Sequence, residues 1–171
     1  EDISLIAVGK FAFLFLIVLG AWFNGASYHD LHGNDDIKTR FFTFLQMFTV
    51  AAMAVFAHDA FGHTSMGFGV SYISFLTIIT FLWWRSGYHD PSHRPLSTPY
   101  SVTFLAAILI FIVSLFVDEA YRYYLWMLSV GLTALSPLAL FVASTKSEKM
   151  GEQFNQAATV SESVAERFGL M

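Results

Sequence analysis

The chain has 171 residues, 56% hydrophobic and 13% charged, with a mean hydropathy of +0.57 and a net charge of −4. Soluble domains carry about 25% charged residues, so this composition argues for a membrane protein, and the lack of a basic surface argues against nucleic acid as a partner. There is no cysteine, which excludes a disulfide framework, a thiolate zinc site and a thiol nucleophile.

The expected fold class is all-α, a polytopic transmembrane helix bundle forming one domain over residues 1–171. The chain opens at Glu1 without a Met, and a new apolar run begins near Phe168, so it reads as an excerpt of a longer protein. Five spans are expected, over residues 3–23, 41–57, 66–84, 100–117 and 121–143, plus the start of a further one.

The first span carries Lys10, about two turns from its end and close enough to snorkel back to the surface. A polar loop, Asn24 to Ile37, is expected next. The second span is near the lower limit for crossing a hydrocarbon layer of about 30 Å. Thr39, Thr43, Gln46 and Thr49 share one face of it, and Phe41, Phe44, Phe48 and Val55 lie opposite. An amide in lipid has no water to bond, so Gln46 is expected to face other helices, as glue between them or as the polar lining of a path.

The third span closes on a Trp83-Trp84-Arg85 anchor. Pro91, Pro95 and Pro99 predict a non-helical connection over 86–99. Gly67-x-Gly69 alone carries no functional weight. The fourth span turns at Asp118-Glu119 into the fifth, whose aromatic collar is Tyr121, Tyr123, Tyr124 and Trp126. Ser129, Thr133 and Ser136 share a face there, and Pro137 predicts a kink. A cytoplasmic polar segment, 144–163, follows.

Loop charges orient the bundle. Lys38, Arg40, Arg85, Arg94, Lys146, Lys149 and Arg167 fall on one side if the five spans alternate, and Arg122 alone falls on the other. That asymmetry puts the loops after spans one, three and five in the cytoplasm. Asp36 and Arg40 are one helical turn apart, and Glu166-Arg167 stand at the same membrane level. A charge cluster is expected there, Arg40 reaching Glu166 or Arg167 reaching Asp35 or Asp36.

Two Tyr-His-Asp segments stand at cytoplasmic helix ends, bringing His29 and His32 near one and His89 and His93 near the other. Imidazoles and carboxylates at facing helix ends are a donor set for a divalent metal. Solvated interfacial histidines are the plainer reading of the same residues. No glycine-rich phosphate loop, nucleophile elbow or His-Glu-x-x-His motif is present, and the residues name no cofactor.

The motif Asn34-Asp35-Asp36-x-x-x-Arg40-x-x-x-Phe44-x-Gln46-Met47, followed by Ala60-Phe61, resembles the bacterial low temperature requirement A (LtrA) membrane family. The tail Val164-Ala165-Glu166-Arg167-Phe168-Gly169-Leu170 is similar to that family's His-Ile-Ala-Glu-Arg-Tyr-Gly-Leu stretch, with Ser163 in place of the histidine. The first loop is longer than the family's. The resemblance implies a bacterial inner-membrane protein tied by name to growth in the cold, with a further span upstream and others downstream. It makes Asp35, Asp36, Arg40, Gln46, Glu166 and Arg167 family-motif polar residues.

Three functions stay open: a transporter or channel-like protein for a small solute or ion, a membrane metalloenzyme using the cytoplasmic histidines, and a structural or sensory membrane protein. The partners admitted are the lipid bilayer, a small solute or ion, and a second copy of the chain.

Overall fold

The structure, a computed structural model, describes residues 4–32, 37–90 and 94–144. Five helices make it up: α1 (Leu5–His32), α2 (Ile37–Phe56), α3 (Ser65–His89), α4 (Arg94–Leu115) and α5 (Glu119–Ser144), with one 3₁₀ turn at Ala57–Asp59. No strand occurs among the described residues. Hydrocarbon offers no partner to backbone N–H and C=O groups, and a helix satisfies them within its own segment. Among the described residues, four segments are long and apolar enough to cross a bilayer: Leu5–His29, Ile37–Asp59, Ser65–His89 and Ser97–Leu115.

The bundle is built around α3. It packs against α4 and α2 along its length, α5 packs on α4, and α1 touches α3 and α2 more sparsely. Half of the α3 span (50%) is buried inside the molecule, against 11% of the α1 span. The core gathers Phe68, Tyr72, Phe75 and Ile79 of α3 with Phe104 and Phe111 of α4, Met53 of α2 and Trp126 of α5. Trp126 stacks on Phe111 and Phe68, with ring centroids 5.1 and 5.4 Å apart, an arrangement that adds to simple area burial.

Glycine sets the closeness of these contacts. A Cβ on Gly67 would lie 2.6 Å from the Phe56 ring of α2, and one on Gly69 would lie 2.8 Å from Leu115 of α4. Gly67-x-Gly69 is therefore a pair of packing notches that lets α2 and α4 approach α3, the use small residues serve in membrane bundles.

The polar and apolar faces of α2 separate as expected. Gln46 and Thr49 are buried, whereas Phe41, Phe44, Phe48 and Val55 are 63–72% exposed. Ser129 and Thr133 of α5 are buried too, and the Ser129 hydroxyl donates to the Ala107 carbonyl of α4 at 3.1 Å. The side chain of Ser136 lies outside the described residues.

The helices outrun the expected span limits. α1 continues past Phe23 to His32, so Tyr28-His29-Asp30 is helical rather than a loop. α3 continues to His89, which corrects the reading of that histidine as a loop residue. The largest correction is at α4, which starts at Arg94 and includes both Pro95 and Pro99. Proline in the first turn gives up an N–H that has no helical partner anyway. Pro99 forfeits a single further bond, to the carbonyl of Pro95. α5 likewise runs on through Pro137.

Lys10 keeps to the surface end of α1, exposed, its ammonium 5.4 Å from the centre of the Phe61 ring. Arg122 does more than sit in a loop. Its Nε donates to the Ser114 carbonyl at 3.1 Å, its Nη2 to the Val117 carbonyl at 3.3 Å, and its Nη1 to the Ser65 hydroxyl. The guanidinium thus caps the last turn of α4, where carbonyls lack helical partners and negative partial charge collects. It ties that end to α3 and α5. Trp126 completes the joint by donating its indole N–H to the Ser114 hydroxyl at 2.9 Å.

Candidate functional site

A polar group lies where α1, α2 and α3 meet. On α2, Thr43 and Gln46 follow six and nine residues after Ile37, about 9–14 Å along the helix at 1.5 Å per residue. Their spacing of three puts both on the side turned to α1. On α1, Gly25 and His29 are four apart and share a face in the same way. A Cβ on Gly25 would stand 3.5 Å from Gln46 Oε1 and 3.9 Å from Phe75. The glycine leaves the amide its room.

The hydrogen bonds fix a direction. The Thr43 hydroxyl donates to the Thr39 carbonyl at 2.9 Å, so towards His29 its oxygen accepts. His29 Nε2 lies 3.2 Å from that oxygen and 3.1 Å from Gln46 Oε1. One N–H on Nε2 serves both acceptors. Thr49, one turn further along, turns its hydroxyl onto the Gln46 carbonyl at 2.7 Å.

Gln46 is 5% exposed, and its Nε2 has no hydrogen-bond partner among the described residues. A buried amide left with an unmade bond costs about 1–3 kcal/mol. Tyr28 fixes the α1 side of the seam by donating its hydroxyl to the Leu82 carbonyl of α3 at 3.2 Å and setting its ring edge-on to Trp83 at 5.4 Å. The result is an ionisable ring, a hydroxyl and an incompletely bonded amide held between helices at membrane depth. Polar groups so placed line paths or bind ligands more often than they stabilise.

Of the sequence-derived residues, the structure joins His29 to Gln46. His89 lies apart from that pair in its bonding, exposed at the end of α3 with its ring edge-on to Tyr88 at 5.5 Å. Arg40 is exposed on the first turns of α2. The side chain of His32, and residues His93, Asp35, Asp36, Glu166 and Arg167, lie outside the described residues. No three His, Asp or Glu side chains gather into a metal-binding group among the described residues. Sequence reasoning found Gln46 from its helical face, but it missed the partnership with His29, because it ended α1 too early. It missed Gly25 as well, whose spacing of four from His29 was the available signal.

Four bilayer-length helices around an aromatic core, with polar side chains turned inward, define an integral, multi-pass membrane protein. The family model for the bacterial low temperature requirement A protein (LtrA) matches residues 1–171. The chain therefore belongs to the LtrA family. Comparison with curated proteins and with solved structures gives no match.

Proposed function

We propose that this LtrA-family protein moves a small solute or ion across the bacterial inner membrane, with the seam between α1 and α2 forming part of the path. One observation carries the reading: Gln46 keeps a buried amide N–H, without a partner among the described residues, beside an ionisable ring. A residue retained only as helix glue would satisfy its own hydrogen bonds. On this reading His29 and Thr43 share the lining with Gln46. Asp35, Asp36, Arg40, Glu166 and Arg167 form the charged cytoplasmic mouth. α5, at 26 residues, is a fifth span, and the Lys/Arg asymmetry sets the loops after α1 and α3 in the cytoplasm. The tie to growth at low temperature is taken from the family's name.

The test is flux. Purified protein in proteoliposomes is challenged with gradients of monovalent and divalent cations, small anions and small zwitterions, and currents are read on a solid-supported membrane. At least one gradient is expected to give a signal above protein-free vesicles. Gln46→Leu and His29→Phe are each expected to lower it about tenfold or more, the worth of one buried hydrogen bond in a binding site. Wild-type currents equal to those of empty vesicles across the panel overturn the proposal. Stoichiometric zinc, iron or manganese, lost when His29, His32, His89 and His93 are changed together to Ala, points instead to a membrane metalloenzyme.

A further inference from the structure

A cleft of about 390 Å³ runs between α3 and α4, away from the His29–Gln46 seam. Its α4 wall changes character with depth. Arg94 opens it at the first helical residue, Ser97 and Ser101 follow on successive turns, and Leu105 ends it. From Arg94 to Leu105 the helix rises about 16 Å, passing from cation through hydroxyls to alkyl. The α3 wall carries Trp84 and Tyr88, with rings stacked at 5.6 Å, the residue types that favour the headgroup level of a bilayer.

Two hydroxyls on this wall differ from four on the facing helix. On α3, Ser71, Ser74, Thr77 and Thr80 each donate to the carbonyl four residues back, at 2.6–2.8 Å. That is the usual way such groups are satisfied in lipid. Ser97 and Ser101 make no such bond, and neither hydroxyl has a partner among the described residues, although Ser97 is only 2% exposed. Arg94 is held at the mouth by its Nε, which donates to the Gly87 carbonyl at 3.1 Å. Gly87 is required there, since a Cβ would stand 2.8 Å from that of Ser97. The first turn of α4, with its outward N–H groups and positive dipole end, lies at the same place.

Guanidinium, helix N-terminus and two hydroxyls without a partner among the described residues together make a donor set of the kind that suits a phosphate. The apolar continuation decides the source of that phosphate. Val102 and Leu105 line the inner part of the cleft and are themselves 62% and 54% exposed. In a protein with bilayer-spanning helices, that exposure is to hydrocarbon. We propose that the cleft between α3 and α4 binds an anionic phospholipid, its phosphate on Arg94, Ser97 and Ser101 and one acyl chain along Val102 and Leu105.

The experiment uses the full chain, purified in mild detergent and stripped of lipid, with bound lipid counted by native mass spectrometry. Phosphatidylglycerol and phosphatidylcholine with the same acyl chains are titrated side by side. Wild type is expected to retain phosphatidylglycerol in preference to phosphatidylcholine. Arg94→Gln is expected to lower phosphatidylglycerol occupancy by about tenfold, the loss of one charge-assisted pair. Val102→Trp, which fills the inner cleft from an exposed position, is expected to lower occupancy by both lipids. If Arg94→Gln fails to fold, the Ser97→Ala/Ser101→Ala double variant decides, with a loss of occupancy expected at unchanged thermal midpoint. Equal retention of the two lipids by wild type overturns the proposal, as does unaltered preference in the variants. Displacement of phosphatidylglycerol by millimolar inorganic phosphate also overturns it, and makes the cleft an aqueous phosphate site.

Discussion

Replacing Arg122 by Ala is expected to cost more stability than any other single surface-charge change in the described bundle. Three acceptors lose their donor: the carbonyls of Ser114 and Val117 and the hydroxyl of Ser65. Ser114 and Ser65 are buried, whereas Val117 is half-exposed at the helix end and recovers its bond from water. Two groups are therefore left unsatisfied, at about 1–3 kcal/mol each. Removal of the desolvation cost of the partly buried guanidinium offsets some of that, leaving a net loss of about 2–4 kcal/mol. The measurement is equilibrium unfolding in mixed detergent micelles as the SDS fraction rises, followed by tryptophan fluorescence. Arg122→Lys is expected to recover less than half of the loss, because a point ammonium cannot reach three acceptors spread across a fork. A change below about 0.5 kcal/mol for Arg122→Ala, the range of an ordinary surface substitution, would refute the capping role.

Gln46→Leu is expected to unfold within about 1 kcal/mol of wild type, because the lost His29 bond is balanced by removal of an unsatisfied amide. A large destabilisation in the same micelle assay would make Gln46 structural. Gly67→Val brings a Cβ to 2.6 Å from the Phe56 ring and is expected to cost about 1–3 kcal/mol by overpacking. The pair Gly67→Val/Phe56→Ala is expected to lose less than the two singles added, and strict additivity would count against the contact. A cytoplasm-active reporter fused after Arg94 or Lys149 is expected to be active and one fused after Gly62 inactive. The opposite pattern would reverse the orientation.

The apolar runs made the helices legible, because lipid forces long uncharged segments into that one conformation. The α2 faces were legible for the same reason: one amide and three threonines at helical spacing leave a single way to turn. Helix ends were not. Proline at 95 and 99 reads as a breaker wherever the register of the first turn is unknown, and the chain beyond Phe23 is polar enough to pass for a loop. That error hid the candidate site, since His29 meets Gln46 only if α1 continues. Arg122 was counted as the one cation on the wrong side of the membrane. Its actual employment, closing carbonyls at the end of a neighbouring helix, depends on tertiary contacts that no local pattern announces. Gly67 and Gly69 likewise acquire meaning only beside the ring and the leucine they admit.

The four hydroxyls of α3 that fold back on their own helix have a wider consequence. Ser71, Ser74, Thr77 and Thr80 place four hydroxyls on an apolar central helix, and each is satisfied within that helix. Their protons are already engaged, so towards a passenger beside α3 these four oxygens can accept but not donate, as Thr43 does towards His29. On the transport reading proposed above, a passenger that needs a hydrogen-bond donor has to find it elsewhere, as at the seam beside the thinly packed α1.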